Sequence, residues 1–199
     1  MNPRPPTRPA VRGVLLGILR LARFDAGGLA QFGDTRAAFL GSLAPWIAFP
    51  LVGCTLMLLD GEGLHALADF FAILCALLVP AVLSHALAVA WDREADWLRY
   101  ATAFNWTQWA VPIIAAALLL VLLALVRLGM PNGVAALLDV VGLVGYGLGL
   151  HWFVARHGLR LSVLRAGVLA VGINLGTAAL LVGLPRLLAW ATGTPLQAL

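Results

Sequence analysis

The sequence predicts an all-α, polytopic membrane bundle of about five transmembrane helices with its amino terminus in the cytoplasm. Three observations predict it. Hydrophobic residues make up 62% of the 199 and charged residues 11%, with a mean hydropathy of +0.96; a water-soluble domain needs more polar surface than that. The apolar residues fall in runs matching the roughly 20 residues that cross a bilayer, and short loops join them. Finally, Arg residues alternate between loops. All 13 basic residues are Arg: Arg4, Arg8, Arg12, Arg20, Arg23, Arg36, Arg93, Arg99, Arg156, Arg160 and Arg165 lie in three segments on one side, and only Arg127 and Arg186 on the other. That asymmetry places the Arg-rich side in the cytoplasm.

Residues 1–10 hold four Pro and two Arg and are expected to be a flexible tail. Residues 11–36 are expected to form an amphipathic interfacial helix and a linker. Val11, Val14, Leu15, Ile18 and Ala22 fall on one face, with Arg12, Arg20 and Arg23 grouped near the other. Ala26-Gly27-Gly28 and Phe32-Gly33-Asp34 break the helix before the membrane domain, expected over 37–189 as a single five-helix unit.

The first span is read from Leu40 to Leu59, with Pro45 and Pro50 near its start, and the second from Leu64 to Ala90, with Pro80 as a kink point. The segment 91–101 concentrates charge and is read as a solvated, salt-paired cytoplasmic loop. The third span follows from Phe104 to Val126, the fourth from Val134 to Val154 and the fifth from Leu161 to Leu184. Residues 190–199 form a short extracytoplasmic tail. The absence of Lys with heavy Ala, Leu, Gly and Arg use points to a G+C-rich coding sequence, and so to a bacterial cytoplasmic (inner) membrane.

The net charge of +4 does not indicate nucleic acid, because no basic stripe exists beyond the residues that orient the spans. Anionic headgroups are the expected partner of those Arg. Cys54 and Cys75 both lie in apolar runs, as small packing residues or as one disulfide between the first two spans. No cofactor is implied: there is no phosphate loop, no His-Glu-x-x-His zinc motif and no close Cys pair. Ser84 and His85 are adjacent, and so point in different directions on a helix rather than forming a nucleophile–base pair.

This layout resembles the YIP family, the Rab-interacting-protein family of small five-span membrane proteins. The resemblance is one of architecture over nearly the whole chain. The acidic-Leu-Tyr-Gly-Pro element of eukaryotic members corresponds to Gly41-Ser42-Leu43-Ala44-Pro45, which retains only the Pro, and Gly145-Tyr146-Gly147 is similar to family Gly-Tyr pairs. The resemblance implies membrane residence, association with other membrane proteins and no enzymatic chemistry; Rab binding does not carry over to a bacterial chain.

One polar constellation stands out. The topology brings His85, Asn105, Gln108 and His151 to the cytoplasmic third of the bundle, with Asn174 nearer the bilayer centre. Such groups serve as interhelical hydrogen bonds, or they line a small-solute or proton route; a metal is the weakest reading, since no carboxylate or thiolate lies close. Gly142, Gly145, Gly149, Gly172 and Gly176 have the spacing of close helix or subunit contacts. Trp91, Trp97, Trp106 and Trp109 are expected as interfacial anchors, the last two alternatively recognising a headgroup or partner helix. Pro112 is expected to free a backbone carbonyl toward the same pocket. Arg127 is expected to pair with Asp139 or Asp69 as an outer clamp. The function these readings favour is a non-enzymatic membrane protein that organises or binds membrane partners or lipids, its partner a membrane protein or a second copy. The alternative is a small-solute or lipid transporter using the polar cluster.

Overall fold

A computed structural model describes residues 11–61, 63–183 and 186. The tail 1–10, the tail 190–199 and the end of the fifth span at Leu184 lie outside the described residues. Every regular element among the described residues is helical. The elements are α1 (Val11–Ala22), a 3₁₀ turn (Ala26–Gln31), α2 (Arg36–Leu59), α3 (Gly63–Ala90), α4 (Glu94–Thr107), α5 (Ala110–Arg127), α6 (Asn132–Gly158) and α7 (Val163–Ala178), the last closed by a π-helical turn, Ala179–Gly183. Five helical stretches are long and apolar enough to cross a membrane: α2, α3, α4 with α5 as one 34-residue run, α6, and α7 with its π turn. The chain is a multi-pass membrane protein.

Local chemistry sets the boundaries. Thr35 caps α2 by accepting from the Ala38 N–H at 3.1 Å, and Ser162 caps α7 by accepting from Arg165 at 3.3 Å. Gly61 and Gly129 take the left-handed conformation that turns the chain after α2 and after α5.

The segment 91–101 corrects the expectation of a loop. Arg93 N–H closes α3 on the Ala88 carbonyl at 2.8 Å, and α4 begins at Glu94. Glu94 and Asp96 stand in its first turn, where carboxylates favour the positive end of the helix dipole. The third span therefore starts ten residues earlier than its apolar run. Its hydrogen-bond ladder breaks at Gln108–Trp109, because Pro112 has no N–H for the Gln108 carbonyl. Val111 N–H serves that carbonyl instead at 3.2 Å, so Pro112 leaves no free acceptor there.

The five spans stand in the order α2, α3, α7, α6, α5, each packed on the next, and α4 lies across α2, α3 and α6 at one end. Helices α2 and α5 do not close the ring; Trp109, at their end of the gap, stacks on Trp46 at 4.7 Å and Phe49 at 5.7 Å. The best-packed core lies at the α4 end and centres on Leu21, Tyr100, Leu150, Val154, Leu159 and Leu169.

All three Arg-rich segments share this end. Arg99 binds Asp34, and Arg160 lies 3.5 Å from Asp96. The amino-terminal helix docks there as well. Its Val14, Gly17 and Leu21 are buried, while Val11, Leu15 and Leu19 stay exposed beside Arg12, Arg20 and Arg23. Tyr146 donates its hydroxyl to the Ala22 carbonyl at 3.0 Å, and Phe24 packs edge-on to Tyr146 and Phe153. The helix thus has one apolar face on protein and another turned outward.

Candidate functional site: a polar floor beneath an intramembrane cleft

The spans frame an open cleft of about 930 Å³. Its walls come from all five: Trp46, Phe49 and Pro50 of α2, Ile73, Ala76, Leu77 and Pro80 of α3, Trp109 and Pro112 at the start of α5, His151 of α6, and Ile173, Asn174 and Thr177 of α7. Phe104, Asn105 and Gln108 contribute from α4 and its end. A second cleft of about 630 Å³ lies between α5, α6 and α7. Gln108, His151, Asn174 and Ala178 line both, and the first three give the partition its polar side chains.

The partition is one hydrogen-bonded relay. Asn174 Nδ2 donates to the Ala170 carbonyl at 2.7 Å and lies 2.8 Å from His151 Nδ1; His151 Nε2 lies 3.1 Å from Gln108 Oε1. The carbonyl requires the amide nitrogen on that side of Asn174, whose second hydrogen then goes to Nδ1. Nδ1 accepts, so Nε2 carries the hydrogen and donates to Gln108. The Phe104 ring sits 4.8 Å from the imidazole and covers one face of it.

Asn105 lines the same cleft but belongs to another bond set. It donates from Nδ2 to Ser42 Oγ at 2.9 Å, and its backbone carbonyl accepts from Trp46 Nε1 at 3.2 Å. Ser42 in turn donates to the Phe39 carbonyl at 2.6 Å. Two residues one turn apart on α2 thereby clamp α4. Ser42 was not among the residues singled out in the sequence; its complete burial marks it here.

His85 does not join the cluster. The α3 residues facing the cleft are Ile73, Ala76, Leu77 and Pro80, a helical stripe that continues to Ser84. His85 is rotated about 100° from Ser84. It lies 3.7 Å from Glu94 Oε1 and packs edge-on to Trp97 at 4.7 Å. Ser84 is buried, donates to the Ala81 carbonyl and accepts from Trp97 Nε1 at 2.9 Å. The adjacent pair thus points apart. Tyr100, wholly buried, turns its hydroxyl toward Ser84 but finds no hydrogen-bond geometry among the described residues.

The other expectations divide. Gly142 and Gly176 do make close contacts: a Cβ on either would lie 3.0 Å from Leu118 or Val79. Gly149 faces the Phe24 ring at ordinary distance, whereas a Cβ on Gly145 or Gly172 would meet nothing within 4 Å among the described residues. The tightest glycines are Gly17 and Gly28, where a Cβ would meet the Phe32 ring at 2.6 Å and the Gly17 carbonyl oxygen at 2.8 Å. Trp97 and Trp109 pack into protein, on Phe39 and on Trp46; Trp91 lies beneath the Arg165 guanidinium at 5.7 Å, and Trp106 packs against the core. Arg20 pairs with Asp25 at 3.8 Å, while Arg12 and Arg23 are exposed. The outer clamp does not form: among the described residues neither Asp139 nor Asp69 lies within ion-pair distance of Arg127. Asp139 instead buries Oδ1 without a hydrogen-bond partner among the described residues. Cys54 and Cys75 are both free.

Comparison of the chain with family models, curated proteins and solved structures found no match to any of them.

Proposed function

We propose that this chain is a non-enzymatic protein of the bacterial cytoplasmic membrane, amino terminus inside and carboxyl terminus outside, that binds a membrane partner or lipid. We further propose that it is a YIP-like protein in architecture. The observation that carries the binding role is the cleft of about 930 Å³ between five spans, unclosed between α2 and α5. Its size is that of sites for small organic ligands, roughly 300–1,000 Å³, and its walls are mostly apolar with a few convergent polar groups. The Arg asymmetry supports the orientation.

The test is crosslinking and mild-detergent co-purification from native membranes, comparing the intact chain with Leu77→Trp, which fills the cleft wall, and with a deletion of residues 1–24. A lipid or protein recovered at near-stoichiometric yield and lost in Leu77→Trp is the expected result. Recovery that is unaffected by Leu77→Trp places the contact elsewhere, and recovery of nothing reproducible removes the role.

A second reading is a small-solute or lipid transporter. The relay of Gln108, His151 and Asn174 favours it, because it separates two clefts in the way a gate separates two halves of a path. Substrate-dependent flux in reconstituted vesicles, changed by Asn174→Leu, is its measurable consequence.

A further inference from the structure

The hydrogen-bond inventory of the cleft floor specifies the chemistry of an occupant. Asn174 spends both amide hydrogens, on the Ala170 carbonyl and on His151, and keeps its Oδ1. Gln108 spends Oε1 on His151 Nε2–H and keeps its amide nitrogen, with two donors. Ser42 uses its own hydrogen on the Phe39 carbonyl, so Asn105 must present its nitrogen to Ser42 and keeps Oδ1. The remaining capacity of these three residues is therefore two amide oxygens and one amide nitrogen; Thr177, three residues on from Asn174, adds a hydroxyl to the lining, and Trp109 Nε1 is buried without a partner among the described residues. None of these amide atoms has a partner among the described residues, and all three residues line the cleft. In a setting without bulk water, such groups call for a partner.

The cleft lining excludes ionic heads. Apart from His151, whose two ring nitrogens are both occupied, no acidic or basic side chain lines the cleft among the described residues. A carboxylate or phosphate buried there would lack a counter-charge. A quinone offers only acceptors, so it suits Gln108 and leaves both amide oxygens unserved. A hydroxyl donates one hydrogen and accepts as well, so one hydroxyl serves Gln108 and one amide oxygen, and two on neighbouring carbons serve all three. Beyond Thr177 the lining turns apolar, and α7 with its π turn follows it from Ile173 to Val182, a rise of roughly 14 Å. The space suits one apolar chain rather than a two-chain phospholipid.

We infer that the cleft binds an uncharged, single-chain lipid with a hydroxyl head, the head on Asn105, Gln108 and Asn174 and the chain along α7. The inference rests on the binding role proposed above. Two natural sources share this chemistry: a monoacylglycerol, whose two hydroxyls serve all three residues, and a prenol, whose one hydroxyl serves Gln108 and one amide oxygen.

The test uses the full-length protein in detergent and a monoacylglycerol brominated on its chain, which quenches Trp46 and Trp109 when seated beside them. Saturable quenching is expected, displaced by monooleoylglycerol or farnesol at tenfold or more lower concentration than by oleate or a short-chain quinone. The better competitor of the first two identifies the source. Gln108→Glu keeps the acceptor for His151 but removes the spare donors, and is expected to weaken the hydroxyl lipid at least fivefold, the effect of one lost hydrogen bond. Leu77→Trp is expected to abolish quenching. Equal displacement by all four competitors, or full affinity in Gln108→Glu, overturns the hydroxyl-head assignment and leaves the cleft as a chain-binding site. Quenching that never saturates, and is the same in Leu77→Trp, overturns the cleft reading itself and this inference with it.

Discussion

His151 and Asn174, on neighbouring spans, are joined by a 2.8 Å hydrogen bond that fixes which ring nitrogen of the histidine carries hydrogen. The bond links α6 to α7, and through Gln108 the junction of α4 and α5, at one level of the bundle. A single side chain thereby ties four helices.

Asn174→Leu removes the donor to His151 and leaves Nδ1 unserved. Interhelical hydrogen bonds in membranes are worth about 0.6–2 kcal/mol, and a loss of that size is expected in detergent unfolding. His151→Leu should cost about as much, and the double variant less than the sum, since both break the same bond. Strict additivity would show that the two side chains are not coupled.

Gly28→Ala places a Cβ 2.8 Å from the Gly17 carbonyl oxygen, and backbone cannot give way as a side-chain tip does. We expect about 1–3 kcal/mol of overpacking cost, read as faster proteolysis or amide exchange confined to residues 11–35. Gly172→Ala, which meets nothing within 4 Å, should be neutral or stabilising by up to about 1 kcal/mol. Equal effects would contradict the packing described for the amino-terminal hairpin.

The Arg99–Asp34 pair is about half exposed on both sides, so its stabilisation should stay under about 1 kcal/mol. Arg99→Gln is expected to cost little in low salt and nothing measurable at about 1 M, where the screening length falls to roughly 3 Å. A large, salt-independent loss would mean that Arg99 packs rather than pairs.

Asp139→Leu takes away a carboxylate oxygen buried without a partner among the described residues. The monomeric bundle should be unchanged or more stable, because an unpaired buried carboxylate is costly. A loss of more than about 2 kcal/mol would point to a counter-charge supplied by another copy or another protein.

Orientation has its own measurement. In a background of Cys54→Ser and Cys75→Ser, an impermeant maleimide applied to intact cells should label Gly61→Cys and Gly129→Cys but not Asp34→Cys or Arg160→Cys. The reverse pattern would place the amino terminus outside.

The sequence made the spans legible because hydropathy is a one-dimensional property. The boundaries of α2, α3 and α6 and the start of α7 lie within a few residues of the apolar runs, and the three Arg-rich segments do meet at one end. What stayed hidden depends on azimuth around each helix. His85 and Ser84 sit at the same depth, and only the stripe through Leu77 and Pro80 decides that Ser84 faces inward. Residues 94–101 looked like a loop because charge outweighed helix capacity, although acidic residues in a first turn are also a helix-start signal. Gly17 and Gly28 carried no sequence signal, since their closeness arises from a fold-back of α1 on the turn after it. Depth could be read in advance, whereas facing required the packed neighbours.

The hydroxyl of Tyr146 reaches the carbonyl of Ala22 across 124 positions of chain. Helix α1 is synthesised before α4 and α6, yet its seat exists only once those two are in place. Until then it must wait at the membrane surface, and its second apolar face, with Val11, Leu15 and Leu19 beside Arg12 and Arg23, suits it to wait there. Assembly of the described bundle thus closes on a helix made early, which locks onto spans made after it.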